Sequence, residues 1–194
     1  MWSVSLKNSF KTTKLDPMIL KVASDIELRQ PTVSDATAIF EAVDSQRTYL
    51  GKWLPFVAFT TEIKDTENFI ISVINTPVDE IEYTFTIQVK NEFAGLIALK
   101  ETDRLNKKTE IGYWLSEKFQ KQGIVTKSVQ KLCDFAFNDL NLNRIQIKCA
   151  VENKPSINIP KRLGFTFEGI ERSGELLTGN VFTDLEVYSK LKND

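Results

Sequence analysis

The spacing of apolar positions changes character several times along the chain, and each change marks an element. Ile26 and Leu28 alternate with Asp25, Glu27 and Arg29, a period of two that predicts a strand stopped by Pro31. Ser34 then stands as a helix N-cap before Ala36, Ile39, Phe40 and Val43, which recur at helical spacing. The segment Tyr49 to Phe56 is apolar and aromatic but broken by Gly51 and Pro55, so it reads as a packed loop or the wall of a pocket. Phe69, Ile70, Val73 and Ile74 predict a second amphipathic helix ending near Pro77. Tyr83 to Lys90 and Phe93 to Lys100 predict a β-hairpin around Asn91-Glu92, and Thr109 to Leu115 a third strand of an antiparallel meander.

Beyond the meander the period lengthens. Gly123 opens a helical stretch with Val125, Val129, Leu132, Cys133 and Ala136 on one face, ending near Asn141. Arg144 to Ala150 predicts a strand, and Pro155 to Leu163 a short helix closed by Gly164. Phe165 to Gly169 and Thr183 to Leu191 are the last predicted strands. Pro160 falls inside the short helix, where it must leave one carbonyl unpaired. An antiparallel start followed by strand, helix, strand, helix and strand gives an α/β class.

Composition narrows the chemistry. A chain of 194 residues suits one domain, expected over residues 18–194, with 1–17 as a mobile extension and Met18 as a possible natural start. Lys and Arg number 25 against 26 Asp and Glu, so there is no net positive field for nucleic acid. No apolar run is long enough to span a bilayer and none resembles a secretion signal, which predicts a cytoplasmic protein without a membrane partner. Histidine is absent, which removes Ser/His/Asp and Cys/His nucleophile pairs and His-containing zinc sites, and no metal is expected. Proton transfer must then fall to a carboxylate, a hydroxyl, an amine or water. Cys133 and Cys149 lie in apolar segments and read as buried reduced thiols rather than as a disulfide or metal ligands.

The segment Glu117 to Thr126 carries the chemical signal. A glycine where a loop enters a helix lets backbone approach a ligand, and the open N–H groups of the first turn favour an anion such as pyrophosphate. One glycine alone is a weak sign, because it can simply make the turn. Its context is more specific: Ile111-Gly112-Tyr113-Trp114-Leu115 precedes it, while Asn153 to Ser156, Leu163-Gly164-Phe165 and Glu168-Gly169 follow. Together these motifs resemble the GNAT superfamily of acetyltransferases, and within it the ribosomal-protein N-terminal acetyltransferase (RimJ/RimL-like) branch, from about Ile26 to Leu191.

The resemblance implies the GNAT fold, a mixed and mostly antiparallel sheet with a central V-shaped splay and flanking helices. The splay would open between the strand carrying Gly112 to Leu115 and the strand carrying Ile145 to Ala150, admitting the pantetheine arm of acetyl-CoA. The expected cofactor contacts are Trp114, Leu115, Gln120, Gln122, Gly123, Ile124, Val125, Thr126, Asn153 and Ser156. Backbone amides from Gln122 to Val125 would hold the pyrophosphate. Val125 stands where the family often has Gly or Ala, and Lys121 follows Gln120 in place of a small residue; neither change removes a backbone donor.

Acetyl transfer to an amine needs a base for the ammonium, a donor for the tetrahedral oxyanion and a donor for the departing thiolate. By resemblance, Ser156 serves the thiolate and Glu175, in the loop segment Gly174 to Gly179, is the base, acting directly or through a water. A backbone N–H around Trp114 and Leu115 is the expected oxyanion donor. Trp53, Glu110 and Glu175 are the expected acceptor-side residues, Glu110 being a second candidate base. The family implication for the acceptor is the α-amino group of a protein or peptide N-terminus. Two alternatives stay open at this point: a non-catalytic acyl-CoA sensor, and an acetyltransferase of small amines such as polyamines or aminoglycosides. The apolar loop and open strand edges also suit a homodimer.

Overall fold

In the computed structural model the described residues are 17–76 and 82–194, and their strands form one eight-stranded sheet in the order β1-β2-β3-β4-β5-β6-β8-β7. The strands are β1 (Ile19–Lys21), β2 (Ile26–Arg29), β3 (Tyr83–Val89), β4 (Glu92–Asp103), β5 (Lys108–Leu115), β6 (Arg144–Ala150), β7 (Thr166–Leu177) and β8 (Val181–Leu191). The helices are α1 (Ala36–Asp44), α2 (Arg47–Gly51), α3 (Ile63–Ile74), α4 (Ile124–Asp134) and α5 (Lys154–Arg162). Every neighbouring pair is antiparallel except β5 with β6, which is parallel. That pair is matched only at Lys108↔Arg144, Thr109↔Ile145 and Glu110↔Gln146. Past Glu110 the two strands part, which is the expected V.

Alternation along β5 divides the interior. Ile111, Tyr113 and Leu115 join a core with Val129 and Leu132 of α4 and Ile157 of α5, while Trp114 joins a second core with Ile39 and Val43 of α1 and Ile70 of α3. Two apolar layers therefore clamp the sheet from opposite faces, and the split is left as the gap between its halves. Gly95 of β4 lies hard against the open end of β5: a Cβ there would stand 2.2 Å from the Trp114 carbonyl oxygen. Only glycine permits that approach.

Several boundaries differ from the sequence expectation, each for a local reason. The first helical segment starts from Thr32 rather than Ser34, because the Asp35 carboxylate accepts from both the Thr32 N–H (2.7 Å) and its hydroxyl (2.9 Å) and closes a 3-10 turn ahead of α1. The hairpin turn is Lys90-Asn91, one residue earlier than predicted, with φ of 51° and 65°. Two left-handed residues make the turn type that matches strand twist. The segment from Tyr49 to Phe56 is not a loop but holds α2 and a 3-10 turn, Pro55–Ala58. α3 begins at Ile63, ahead of the predicted apolar face, and of that face only Ile70 is fully buried while Phe69 and Ile74 are exposed. The predicted stop at Pro77 and the predicted N-terminal extension through residue 16 lie outside the described residues. β1 was not foreseen; three residues carry too little pattern.

The largest difference is β7. It runs twelve residues, where five were predicted, and takes Glu175 out of a loop and into a strand paired with Thr183 of β8. Nearly every side chain on β7 is exposed, and the ladder shifts register near Phe167/Gly169 and Glu171/Glu175. Without a buried face, strand alternation leaves no hydrophobic signature.

Candidate active site

A cavity of about 540 Å³ occupies the split, bounded by α2, the end of β5, the start of α4 and one face of α5. Its floor is the loop between β5 and α4. The loop is stapled from behind by Gln46, which accepts from the Glu117 N–H at 2.9 Å and donates to the Ser116 hydroxyl at 3.1 Å and the Ala42 carbonyl at 2.6 Å. Tyr49 of α2 holds it from the cavity side, donating to the Leu115 carbonyl at 3.4 Å and accepting from the Gln120 side chain. Burial raises the Tyr49 pKa, opposed by the Gln120 hydrogen bond and reinforced by the Glu117 charge.

With its ends fixed, the loop takes left-handed conformations at Lys121 (φ 61°) and Gly123 (φ 73°). The helix that follows has no side-chain cap, and its first i to i−4 bond is Lys127 N–H to the Gly123 carbonyl at 3.0 Å. The amides of Ile124, Val125 and Thr126 therefore have no intrahelical carbonyl, and all three residues line the cavity. Open amides at the positive end of a helix dipole, next to Lys121, suit a pyrophosphate.

The opposite wall is the first turns of α5. Asn153 is its N-cap, the side-chain oxygen accepting from the Ser156 N–H at 3.3 Å. Ser156 faces the cavity and lies in a small network: its hydroxyl donates to the Tyr113 hydroxyl at 3.2 Å, the Cys149 sulfur is 3.2 Å from the same Ser156 oxygen, and Tyr113 donates to the Ser156 carbonyl at 3.1 Å. Burial drives the Tyr113 pKa well above the ordinary phenol value, with the Cys149 charge adding and the Ser156 hydrogen bond opposing. Burial likewise pushes the Cys149 thiol up to about 11, against hydrogen bonds to Ser156 and Tyr113. Both groups stay protonated near neutral pH, so the network is one of donors.

Of the residues expected to hold the cofactor, Trp114, Leu115, Gln120, Gly123, Ile124, Val125, Thr126, Asn153 and Ser156 all line this cavity. Gln122 does not: its side chain is exposed and donates to the Lys118 carbonyl at 3.2 Å. Trp53 lines the cavity with Leu54, whereas Phe56, which the sequence placed in the same wall, is largely exposed. Tyr49, at the start of the segment read as a packed loop or pocket wall, lines it too, and sequence reasoning missed Asn158 and Arg162. Both were findable, since Pro155, Asn158 and Arg162 share one helix face by their spacing. Tyr113 sat inside a quoted motif, but its partners did not.

The two candidate carboxylates lie elsewhere. Glu110 and Glu175 are not among the cavity-lining residues. Glu110 is buried and bonded to Lys100 at 2.8 Å, with Lys148 at 3.8 Å from its other oxygen; Lys148 in turn meets Glu171 at 2.9 Å. Burial works against the Lys100 ammonium, but the hydrogen bond and charge of Glu110, helped by Glu101 and Glu175, hold its pKa above the ordinary lysine value. Glu175 thus belongs electrostatically with this charged group, which shares the Trp114 side of β5 rather than the Tyr113 side. Among the described residues, no three His, Cys, Asp or Glu side chains are grouped to hold a metal ion, and no helix is long and apolar enough to cross a membrane.

Comparison with known proteins agrees with this geometry. The family profile described as "Acetyltransferase (GNAT) domain" matches residues 25–166. The Bacillus subtilis (strain 168) protein YdaF, provisionally named a ribosomal N-acetyltransferase, is 35% identical over 176 residues, spanning 90% of this chain and 95% of its own. The ribosomal-protein-serine acetyltransferase of Escherichia coli (strain K12) is 28% identical over 89% of this chain and 96% of its own. Among solved structures, RimL, the ribosomal L7/L12 alpha-N-protein acetyltransferase in complex with coenzyme A, superposes with a TM-score of 0.85 at 29% identity, covering 90% of this chain and 98% of that one. A parted parallel strand pair, a cradle of open amides and a serine-bearing helix across from it are what a coenzyme A thioester requires, and this chain belongs to the GNAT family as an acetyl-CoA-dependent N-acetyltransferase of the RimL-like branch.

Proposed function

We propose that the acceptor is the α-amino group at the N-terminus of a protein or peptide, of the ribosomal-protein type. The observation that carries this reading is the continuous cavity from the open amides of α4 to Ser156, flanked by the aromatic and aliphatic side chains of Tyr49, Trp53 and Leu54. Such a wall suits a peptide more than a polycationic small amine, and the RimL-like relatives are named for protein substrates. The same reading places the enzyme in the cytoplasm, with neither nucleic acid nor membrane as partner.

Acetyl-CoA, when bound, supplies the thioester that an amine attacks and the thiolate that leaves. The chain supplies the rest. The amides of Gly123 to Thr126 anchor the phosphates, Asn153 fixes the start of α5, and Ser156 stands where it can donate to the sulfur. A backbone N–H at Trp114 or Leu115, on the open edge of β5, offers the donor for charge on the carbonyl oxygen. Glu175 takes the amine's proton through a water, because its exposed carboxylate stands outside the cavity lining. Glu110 is less suited, its carboxylate being occupied by two lysines.

The test is thiol release from acetyl-CoA with serine- and alanine-starting peptides, spermidine and an aminoglycoside, for the native chain and Glu175→Gln. Peptide-dependent release that falls by about a hundredfold or more in the variant is expected, the usual scale for a general base. Release with polyamines alone would reassign the acceptor, and saturable coenzyme A binding without release for any amine would make the chain a sensor.

A further inference from the structure

The unpaired carbonyl that Pro160 creates is not idle. In α5 the i to i−4 pattern assigns the N–H of residue 160 to the carbonyl of Ser156, and proline has no N–H to give. The Tyr113 hydroxyl fills that place, donating to the Ser156 carbonyl at 3.1 Å. The same tyrosine oxygen accepts from the Ser156 hydroxyl at 3.2 Å. Each hydroxyl carries one proton. With the tyrosine proton on the carbonyl and the serine proton on the tyrosine, the contact between Cys149 and Ser156 must run from the S–H to the serine oxygen. In this arrangement the Ser156 proton is spent on Tyr113, and the serine has none left to donate into the cavity that both residues line.

We infer that Tyr113 is a positioning residue that controls the direction of the Ser156 hydroxyl, and that Pro160 tunes it by leaving the Ser156 carbonyl to compete for the tyrosine proton. When negative charge appears on the cofactor sulfur, the Tyr113 O–H turns from the Ser156 carbonyl to the Ser156 oxygen, and the serine O–H turns to the sulfur. Two hydroxyl rotations suffice; no bond to hydrogen is broken. Tyr113 and Cys149 keep their protons throughout, consistent with burial holding both in the neutral form. The inference rests on the reading of Ser156 given above, and its test separates the two.

The pKa of the coenzyme A thiol in the binary complex, read from ultraviolet thiolate absorbance, needs no acceptor. The native chain is expected to lower it relative to free coenzyme A, and Ser156→Ala to abolish the lowering. Tyr113→Phe removes the supporting donor and is expected to raise the bound thiol pKa by about one, a tenfold loss of thiolate stabilisation. Pro160→Ala restores an N–H to the Ser156 carbonyl, frees the tyrosine proton for the serine oxygen, and is expected to shift the pKa the other way. Coenzyme A affinity stays within about twofold in both, and Tyr113→Phe has no further effect once Ser156 is alanine. Opposite signs for the two variants distinguish orientation from general disturbance, which would move both alike. If Ser156→Ala acts but Tyr113→Phe and Pro160→Ala match the native chain or shift together, the inference is overturned and the Ser156 reading stands. If Ser156→Ala leaves the thiol unchanged, both fail.

Discussion

At Gly123 the backbone is left-handed and a Cβ would meet nothing within 4 Å, so the demand on this position is conformational and not steric. Gly123→Ala is expected to cost about 1 kcal/mol from the left-handed φ alone. If φ relaxes, the amides of the first turn of α4 are aimed differently, and coenzyme A affinity falls by more than the stability loss explains. Calorimetric binding and urea unfolding of the same variant separate the two; unchanged affinity would detach this glycine from the phosphates. A different residue governs acid stability. Hydrogen bonds from Arg144 hold the Glu168 carboxyl well below its usual range, at about 2, against burial and with help from Ser189. A depressed carboxyl stabilises the fold above its unfolded pKa, here about 4.5, and that contribution disappears as pH falls from there towards 2. The native chain should therefore lose its advantage over Glu168→Gln across that window in denaturation midpoints. The side chain is about a third exposed, so solvent screening keeps the effect modest.

Among elements, the β4 to β5 pair decides where the sheet can open. Gly95→Ala would drive a Cβ into the Trp114 carbonyl and within 2.9 Å of the Leu115 Cα, backbone that cannot swing aside. About 3 kcal/mol of stability is expected to go, with disturbed near-ultraviolet dichroism from the buried Trp114; a thermally unchanged variant would show that the strands part more easily than they appear to. Elements with a buried face were legible from the sequence alone. The stretch opened by Gly123 presented Val125, Val129, Leu132, Cys133 and Ala136 at helical spacing; Val125 is half-buried at the cavity and the other four are buried, Ala136 lying just past the end of α4; β3, β5 and β6 had their apolar positions within a residue or so of the true ends. β7 was not legible, because a ribbon with solvent on both faces has no reason to alternate, and this is why Glu175 read as a loop residue. The site followed the same division. Backbone-binding residues stood in recognisable motifs, whereas Tyr113 gained its meaning only from a carbonyl released by a proline 47 positions away in the chain.

Across the whole molecule, the split leaves the facing edges of β5 and β6 without each other's hydrogen bonds past Glu110 and Gln146. Coenzyme A seated there should slow amide hydrogen exchange in two places: the first turn of α4 over Ile124 to Thr126, and the open edge of β5 over Ile111 to Leu115. Protection at both is expected to rise together on adding coenzyme A, while the β7 to β8 ribbon stays as it was. Slow exchange at the β5 edge in the free protein would mean that the halves are held by something other than the ligand.

A seam closed over only three residue pairs has the mechanics of a notch in a plate, where stress gathers at the tip. The tip here falls at Glu110 and Gln146, and it is riveted. Lys100 on β4, Glu110 on β5, Lys148 on β6 and Glu171 on β7 form a line of alternating charge that crosses from one half-sheet to the other where the strands begin to part. The buried carboxylate in that line sits where a drilled and pinned hole sits in cracked metal, at the point where the opening starts, with a cation on either side of the seam.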